Sequence, residues 1–244
     1  MIAALNDLLH ISHQVGERLD LVQGGGGNTS VKASDGIMYI KASGTALKAM
    51  SVQRGWVALG GESSGDEQPS MEWPMHLLLP RIVIHVHAVY PNIYNCQVGG
   101  VEKLASLLTQ YEPIVIPYAT PGQELADMIK AHLTVVSPRL ILLENHGLIV
   151  CGEDANEVVS RLHTINNLVK ADFPPFIVRA DPPLLPSLFP DAAVLENNPD
   201  VQSANAYLHQ QITALGCTVQ LLPPNEGDKL RAMEQEQYRI QLCK

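Results

Sequence analysis

The chain has no apolar run approaching the ~20 residues that a membrane-spanning helix needs, so no membrane span is expected. Its first residues, Met1-Ile2-Ala3-Ala4-Leu5-Asn6-Asp7, carry no basic stretch ahead of an apolar block, and no secretory leader is expected either. Cations are scarce: 16 Lys and Arg stand against 25 Asp and Glu, a formal net charge of -9. Proteins whose main partner is a nucleic-acid backbone concentrate Lys and Arg, so that class is set aside, while a small anion in a local pocket stays compatible. Cys96, Cys151, Cys217 and Cys243 form no Cys-x-x-Cys pair. This spacing excludes a zinc ribbon and fits a reducing cytoplasm better than a disulfide scaffold. No internal repeat is visible. What is present is a 244-residue chain with 46% hydrophobic and 17% charged residues, enough for one large domain or a domain plus an appendage.

Periodicity organises most of it. Leu5, Leu8, Leu9, Ile11, Val15 and Leu19 predict an amphipathic helix from residue 2 to about 19. Val31-Lys32 and 37–41 read as short strands around the Asp35-Gly36 turn, and 54–70 as a polar loop or hairpin. A short helix is expected over 74–79, a helix over 101–108, and strands over 113–117, 140–143 and 148–151. Thr120-Pro121-Gly122-Gln123 reads as a capping box ahead of a helix burying Leu125, Met128 and Ile129. A long helix is expected over 154–171. Six prolines between 174 and 190 then mark the edge of the main domain, giving residues 1–180 and an α/β extension over 181–244 packed on it. That extension is expected to hold a helix after Pro199, a strand over 218–222 and a final helix from about 228.

The apolar run Ile82-Val83-Ile84-His85-Val86-His87-Ala88-Val89 reads as a buried strand. Alternation puts His85 and His87 on one face, with Ile84, Val86 and Ala88 on the other. Two adjacent imidazoles in an apolar setting are either core histidines with local hydrogen bonds or ligands of a divalent metal. His146, in the Asn145-His146-Gly147 turn, is either a turn residue bonded to local backbone or a third ligand, beside a glycine free to take unusual angles. Three histidines would suit an open catalytic zinc site. Glu72, among Met71, Trp73 and Pro74, is either a helix-start carboxylate or a desolvated one whose raised pKa suits a base. His10, His13, His132, His163 and His209 fall on expected helices, and His76 lies near Glu72. Gly24-Gly25-Gly26-Gly27-Asn28-Thr29-Ser30 is either a flexible loop or a nest of N–H groups for phosphate. It matches neither the Walker pattern nor Gly-x-Gly-x-x-Gly. Ser43-Gly44-Thr45 and Ser70 are further small donors for the same anion.

Six ordered motifs tie these residues together: Gly27-Asn28-Thr29-Ser30, Ala42-Ser43-Gly44, Pro69-Ser70-Met71-Glu72, His85-Val86-His87, Tyr118-Ala119-Thr120-Pro121-Gly122 and Asn145-His146-Gly147-Leu148. In this the chain resembles the class II aldolase/adducin family, from its first helix to about residue 172. The resemblance implies an α/β fold of three layers, with a central, mainly antiparallel sheet flanked by helices. It implies Zn2+, or another divalent transition metal, on His85, His87 and His146. Glu72 and Tyr118 would be catalytic. Gly27, Asn28, Thr29, Ser43, Gly44 and Ser70 would bind substrate phosphate. The implied activity is reversible retro-aldol cleavage of a ketose, in the best-understood members a sugar phosphate, through a zinc-stabilised enediolate. Alternatives are a ketose-phosphate epimerase or dehydratase on the same site, or a non-catalytic adducin-like binding module. The implied partners are a small sugar substrate and other copies of the chain, a homotetramer above all, with neither nucleic acid nor membrane. Met71 departs from the family's second serine in Ser-Ser-Glu, which opens the possibility of an unphosphorylated substrate. The ending beyond about 180 also departs from the simple aldolase pattern.

Overall fold

The fold follows from one buried strand with two dissimilar faces. The computed structural model describes residues 2–61 and 67–242. Helix α1 (Ile2–Gly16) leads through the glycine loop into β1 (Asn28–Lys32), β2 (Met38–Lys41) and β3 (Trp56–Leu59). Then come α2 (Trp73–Leu77), β4 (Ile82–Val86), α3 (Val89–Asn95), α4 (Gly100–Leu107), β5 (Ile114–Ile116) and α5 (Gln123–His132). The hairpin β6 (Leu140–Leu143) and β7 (Gly147–Gly152) precedes α6 (Ala155–Lys170), and α7 (Pro190–Val194), α8 (Pro199–Ala214), α9 (Glu226–Ala232) and α10 (Glu234–Leu242) complete the chain. Among the described residues the sheet has seven strands in the order β3-β2-β1-β4-β7-β6-β5, antiparallel at every pairing except β5 with β6.

Strand β4 sits at the centre, and its alternation sorts the core. Ile82, Ile84 and Val86 join the cluster built with α1, α3, α6 and α8, through Leu8, Ile11, Ile93, Leu162, Ile165 and Leu208. Val83 faces the other way, into a smaller cluster with Met75 of α2 and Leu125 and Ile129 of α5. Each such fully buried aliphatic side chain stabilises the fold by roughly 1.5–3 kcal/mol relative to exposure. The larger cluster also takes in Leu188, Phe189, Val201, Ile212 and Leu230, so the C-terminal segment shares that core. Among the described residues no helix is long and apolar enough to cross a membrane.

Several expectations change. The polar stretch after Arg54 contains β3, which the glycines around it conceal; residues 62–66 of that stretch lie outside the described residues. The expected strand over 218–222 reduces to one bridge, Gln97 to Val219. The capping box does not form: Gly122 precedes α5 without a side-chain cap, and the Thr120 hydroxyl donates instead to Glu226 at 2.7 Å. In contrast, Asp154 caps α6 by accepting from Glu157 N at 2.9 Å, and Asn198 caps α8 by accepting from Asp200 N and Val201 N. Cys96 and Cys151 are buried free thiols, Cys217 is half-buried and free, and Cys243 lies outside the described residues.

Asp20 joins the loop after α1 to α6. Its carboxylate accepts from Arg18 (3.0 and 2.8 Å) and Asn166 (3.0 Å), with Lys170 at 3.6 Å. Burial would raise its pKa, but the Arg18 guanidinium, the Asn166 amide and Lys170 outweigh it, and the net shift is downward. A depressed carboxylate contributes stability above its unfolded pKa of about 3.9 and loses it as pH falls through the lower folded value. Asp20→Asn is therefore expected to lower stability by about 2 kcal/mol at pH 7. The gap to wild type should close below about pH 4. Urea unfolding across that range checks this, and a gap independent of pH would refute it.

Candidate metal centre

Four buried donors converge at one end of β4. His85 is the last inward-facing residue of that strand, opposite Asn28 on β1 and Ile149 on β7. His87 lies just past the strand, and both rings turn to the same side, opposite Ile84, Val86 and Ala88. His146 enters from the turn between β6 and β7. Gly147 does not supply unusual angles there; it is Asn145 that takes the left-handed conformation (φ 50°). Glycine is required at 147 because a Cβ would stand 2.2 Å from the Val86 carbonyl oxygen. Asn92 and Asn95 of α3 clamp the turn by donating to the carbonyls of His146 (3.0 Å) and Gly147 (2.9 Å). Asn145 donates to Leu188 O and Gln220 O, tying the turn to the C-terminal segment. Glu72 stands at the start of α2, 6% exposed, so it is not a solvated helix-start carboxylate.

The donor spacings suit a cation. His85 Nε2 lies 3.1 Å from His87 Nε2 and 3.5 Å from Glu72 Oε2, and His146 Nε2 lies 3.4 Å from Glu72 Oε1. Donors held at about 2.0–2.1 Å in a tetrahedron are themselves roughly 3.3 Å apart. Among the described residues, Glu72 Oε1, which faces His146 Nε2, is buried with no hydrogen-bond partner, a state that buried polar atoms rarely keep. Among those residues Glu72, His85, His87 and His146 are the group of donors that could hold a metal ion.

Protonation agrees with ligation. Burial lowers His85 to about 4 and His146 to about 3, against the opposing pull of Glu72, which leaves both rings neutral near pH 7. Burial would raise Glu72, yet His85, His146, His87 and the Asn28 amide together hold it down to about 2. The raised pKa expected from its apolar sequence neighbours is thus reversed: the neighbours in space are imidazoles and an amide. Asn28 Nδ2 donates to Glu72 Oε2 at 2.7 Å and to Ser70 Oγ at 3.2 Å. Since that amide nitrogen faces Glu72, its oxygen accepts from His76 Nε2 at 2.5 Å, and the Ser30 hydroxyl then donates to His76 Nδ1 at 2.7 Å. His76 is a neutral, buried orienter of Asn28, with its pKa lowered by burial to about 3. His10, His13, His132, His163 and His209 do fall on helices, outside this group.

The expected phosphate residues divide. Gly27, Asn28, Ser43 and Ser70 line the small space beside the metal group, together with Lys41, which donates to Gly25 O at 2.7 Å. Thr29 faces α1, its hydroxyl 2.7 Å from that of Ser12. Gly44 lies under Leu242 of α10. Three of the four loop glycines, Gly24, Gly25 and Gly27, have positive φ, so the loop is shaped rather than merely flexible. Tyr118 does not line the space. Its hydroxyl donates to Glu226 at 3.0 Å, and burial together with that carboxylate pushes its pKa up. Residues with no local sequence signal complete the wall: Asp191 at the start of α7, and Glu236 and Arg239 of α10. The enclosed volume is ≈ 30 Å³, against about 300–1,000 Å³ for typical small-molecule sites.

Comparison with known proteins gives the family and the fold. The sequence profile of the class II aldolase and adducin N-terminal domain matches residues 6–172. A 3-oxo-tetronate 4-phosphate decarboxylase of Escherichia coli is 28% identical over 166 residues, covering 62% of this chain and 77% of its own. An L-fuculose phosphate aldolase of Haemophilus influenzae is 30% identical over 154 residues, covering 58% and 69%. The N-terminal class II aldolase domain of a Thermoplasma acidophilum protein shares the fold, with a TM-score of 0.58 at 24% identity over 68% of this chain and 92% of that one. The chain belongs to the class II aldolase and adducin N-terminal domain family.

Proposed function

We propose that the protein is a metal-dependent carbon–carbon lyase of the class II aldolase type, cleaving a small phosphorylated ketose by reversible retro-aldol chemistry. The observation that carries this is the convergence of three imidazole nitrogens and one carboxylate within 4.8 Å of one another, with three of the pairs at 3.1–3.5 Å. In this reading His85, His87 and His146 hold the cation and Glu72 works beside it. Zn2+ suits three imidazoles, and manganese, cobalt or nickel are accepted by the same donors. A bound divalent cation would act as a Lewis acid on the substrate carbonyl. Glu72 exchanges a proton at the carbon next to that carbonyl, and Asn28, held by His76, keeps its carboxylate aimed. Gly27, Ser43 and Ser70, which line the space, anchor the distant phosphate, with Lys41 adding charge, whereas Gly44 and Thr29 stand outside that lining and the Asn28 amide is taken up by Glu72. Residues 181–244 extend the family's domain (1–180), and the chain assembles as a cytoplasmic homotetramer.

A second reading has one observation behind it. Retro-aldol cleavage must also remove a proton from a hydroxyl, and Tyr118, the second catalytic residue that the family resemblance implies, is engaged with Glu226 at 3.0 Å. Cleavage that releases carbon dioxide from a 3-oxo acid needs only electron uptake at the carbonyl and one returning proton. It therefore runs without Tyr118.

Metal analysis of the purified protein, followed by product assays, tests both readings. The assays should score aldehyde, carbon dioxide, epimer formation and water loss on ketose phosphates, free ketoses and 3-oxo acid phosphates. Stoichiometric metal with aldehyde release is the expected result. Carbon dioxide release selects the second reading, isomer formation or water loss replaces both, and protein without stoichiometric metal returns the chain to a non-catalytic binding module.

A further inference from the structure

One ligand differs from the other two in what stands behind it. His87 turns Nε2 toward His85, so Nδ1 is its rear nitrogen. Asp191 Oδ2 lies 3.0 Å from that Nδ1, within ion-pair range but not aligned for a hydrogen bond, so neither atom has a hydrogen-bond partner among the described residues. Behind His85 stands only a backbone carbonyl, Leu148 O at 3.1 Å, and behind His146 Nδ1 there is no hydrogen-bond partner among the described residues.

Asp191 is itself held. It is 2% exposed and starts α7. Its Oδ1 pairs with Arg239 of α10 at 2.7 Å, and Arg239 Nε donates to Glu236 at 2.7 Å. The glycine loop closes the junction from the other side: a Cβ at Gly26 would lie 2.2 Å from Asp191 Oδ2 and 3.0 Å from His87 Nδ1. Asp191 and Arg239 both fall beyond the 6–172 stretch that carries the family pattern.

A carboxylate behind a ligating imidazole accepts its rear N–H, fixes which nitrogen faces the metal and makes that nitrogen a better donor. We propose that Asp191 is a positioning residue for His87, and that Arg239, brought in by α10, holds Asp191 against it. The C-terminal segment thereby sets the metal affinity of a centre whose ligands all lie in the family domain. This rests on the metal-centre reading above.

The test is the zinc affinity of the full chain, measured by competition with a chromophoric chelator, with the visible spectrum of the cobalt-loaded protein as a second readout. Asp191→Asn is expected to weaken zinc binding about 10–100-fold and to shift the cobalt spectrum. Arg239→Met should weaken it in the same direction, and Arg239→Lys should stay near wild type because it keeps a cation beside Asp191. A merely structural Asp191 would lower the unfolding midpoint of the metal-free protein and leave zinc affinity unchanged; that result overturns the proposal. If Asp191→Asn does not fold, Arg239→Met decides, and wild-type affinity in that variant overturns it. A wild-type chain that takes up no zinc overturns the metal reading itself, whereas tight wild-type binding with unaltered variants overturns this inference alone.

Discussion

His85→Ala is expected to purify with less than about a tenth of the wild-type zinc, and to lose turnover in the same proportion as it loses metal. Four-ligand zinc sites bind with roughly 10–16 kcal/mol at pH 7, so one ligand carries about 3–4 kcal/mol, or two to three powers of ten in affinity. The loss should be severe here because His85 occupies the middle of the group: its Nε2 is 3.1 Å from His87 Nε2 and 3.5 Å from Glu72 Oε2. His146→Ala should behave alike, since it removes the donor 3.4 Å from Glu72 Oε1. Both variants leave the apolar face of β4, with Ile82, Ile84 and Val86, in place, so a native circular dichroism spectrum accompanies the metal loss. Chelator competition gives the affinity directly. Wild-type zinc affinity in either variant would show that the cluster is a set of core histidines.

How much of this could be read from the residues depended on the range of the interaction. The two-residue period of a strand is local, so the shared face of His85 and His87 followed from the run itself, and the structure keeps it. The helix over 155–170 was equally local, with an aspartate cap and Val158, Leu162, Ile165 and Val169 on one side. The protonation of Glu72 was not local. Met71, Trp73 and Pro74 suggested an apolar setting, whereas folding puts Asn28 and three imidazoles around the carboxylate and reverses the direction of its shift. Thr120 departed for the same reason: its hydroxyl found Glu226, more than a hundred residues away, in place of the local cap, and Tyr118 donates to the same carboxylate. Asp191 and Arg239 carried no signal, because a single Asp after a proline and an Arg in a charged tail become a pair only when α10 folds back beside the start of α7. The glycines were informative in kind but not in detail. Gly147 answers to the Val86 carbonyl and Gly26 to Asp191, two close approaches that only the assembled sheet and tail create.

Glu72→Gln separates binding from chemistry at this site. Glutamine keeps the volume and one oxygen, which can still accept from Asn28, while three imidazoles remain to hold the cation. Zinc content should therefore stay within about tenfold of wild type. The amide cannot take up or return a proton. A positioned acid or base contributes roughly 10²–10⁴ to rate, so exchange of the carbon-bound hydrogen with solvent, followed in deuterium oxide, should fall by that factor. Turnover should fall with it while the substrate's Michaelis constant changes little, because the phosphate-side residues are untouched. In both cleavage chemistries the carbon–carbon bond breaks before the carbon-bound proton is returned, so first-turnover release of aldehyde or carbon dioxide should fall less than exchange does, while steady-state turnover falls with it. Undiminished exchange in a zinc-loaded Glu72→Gln protein would remove Glu72 from the chemistry and leave it a ligand.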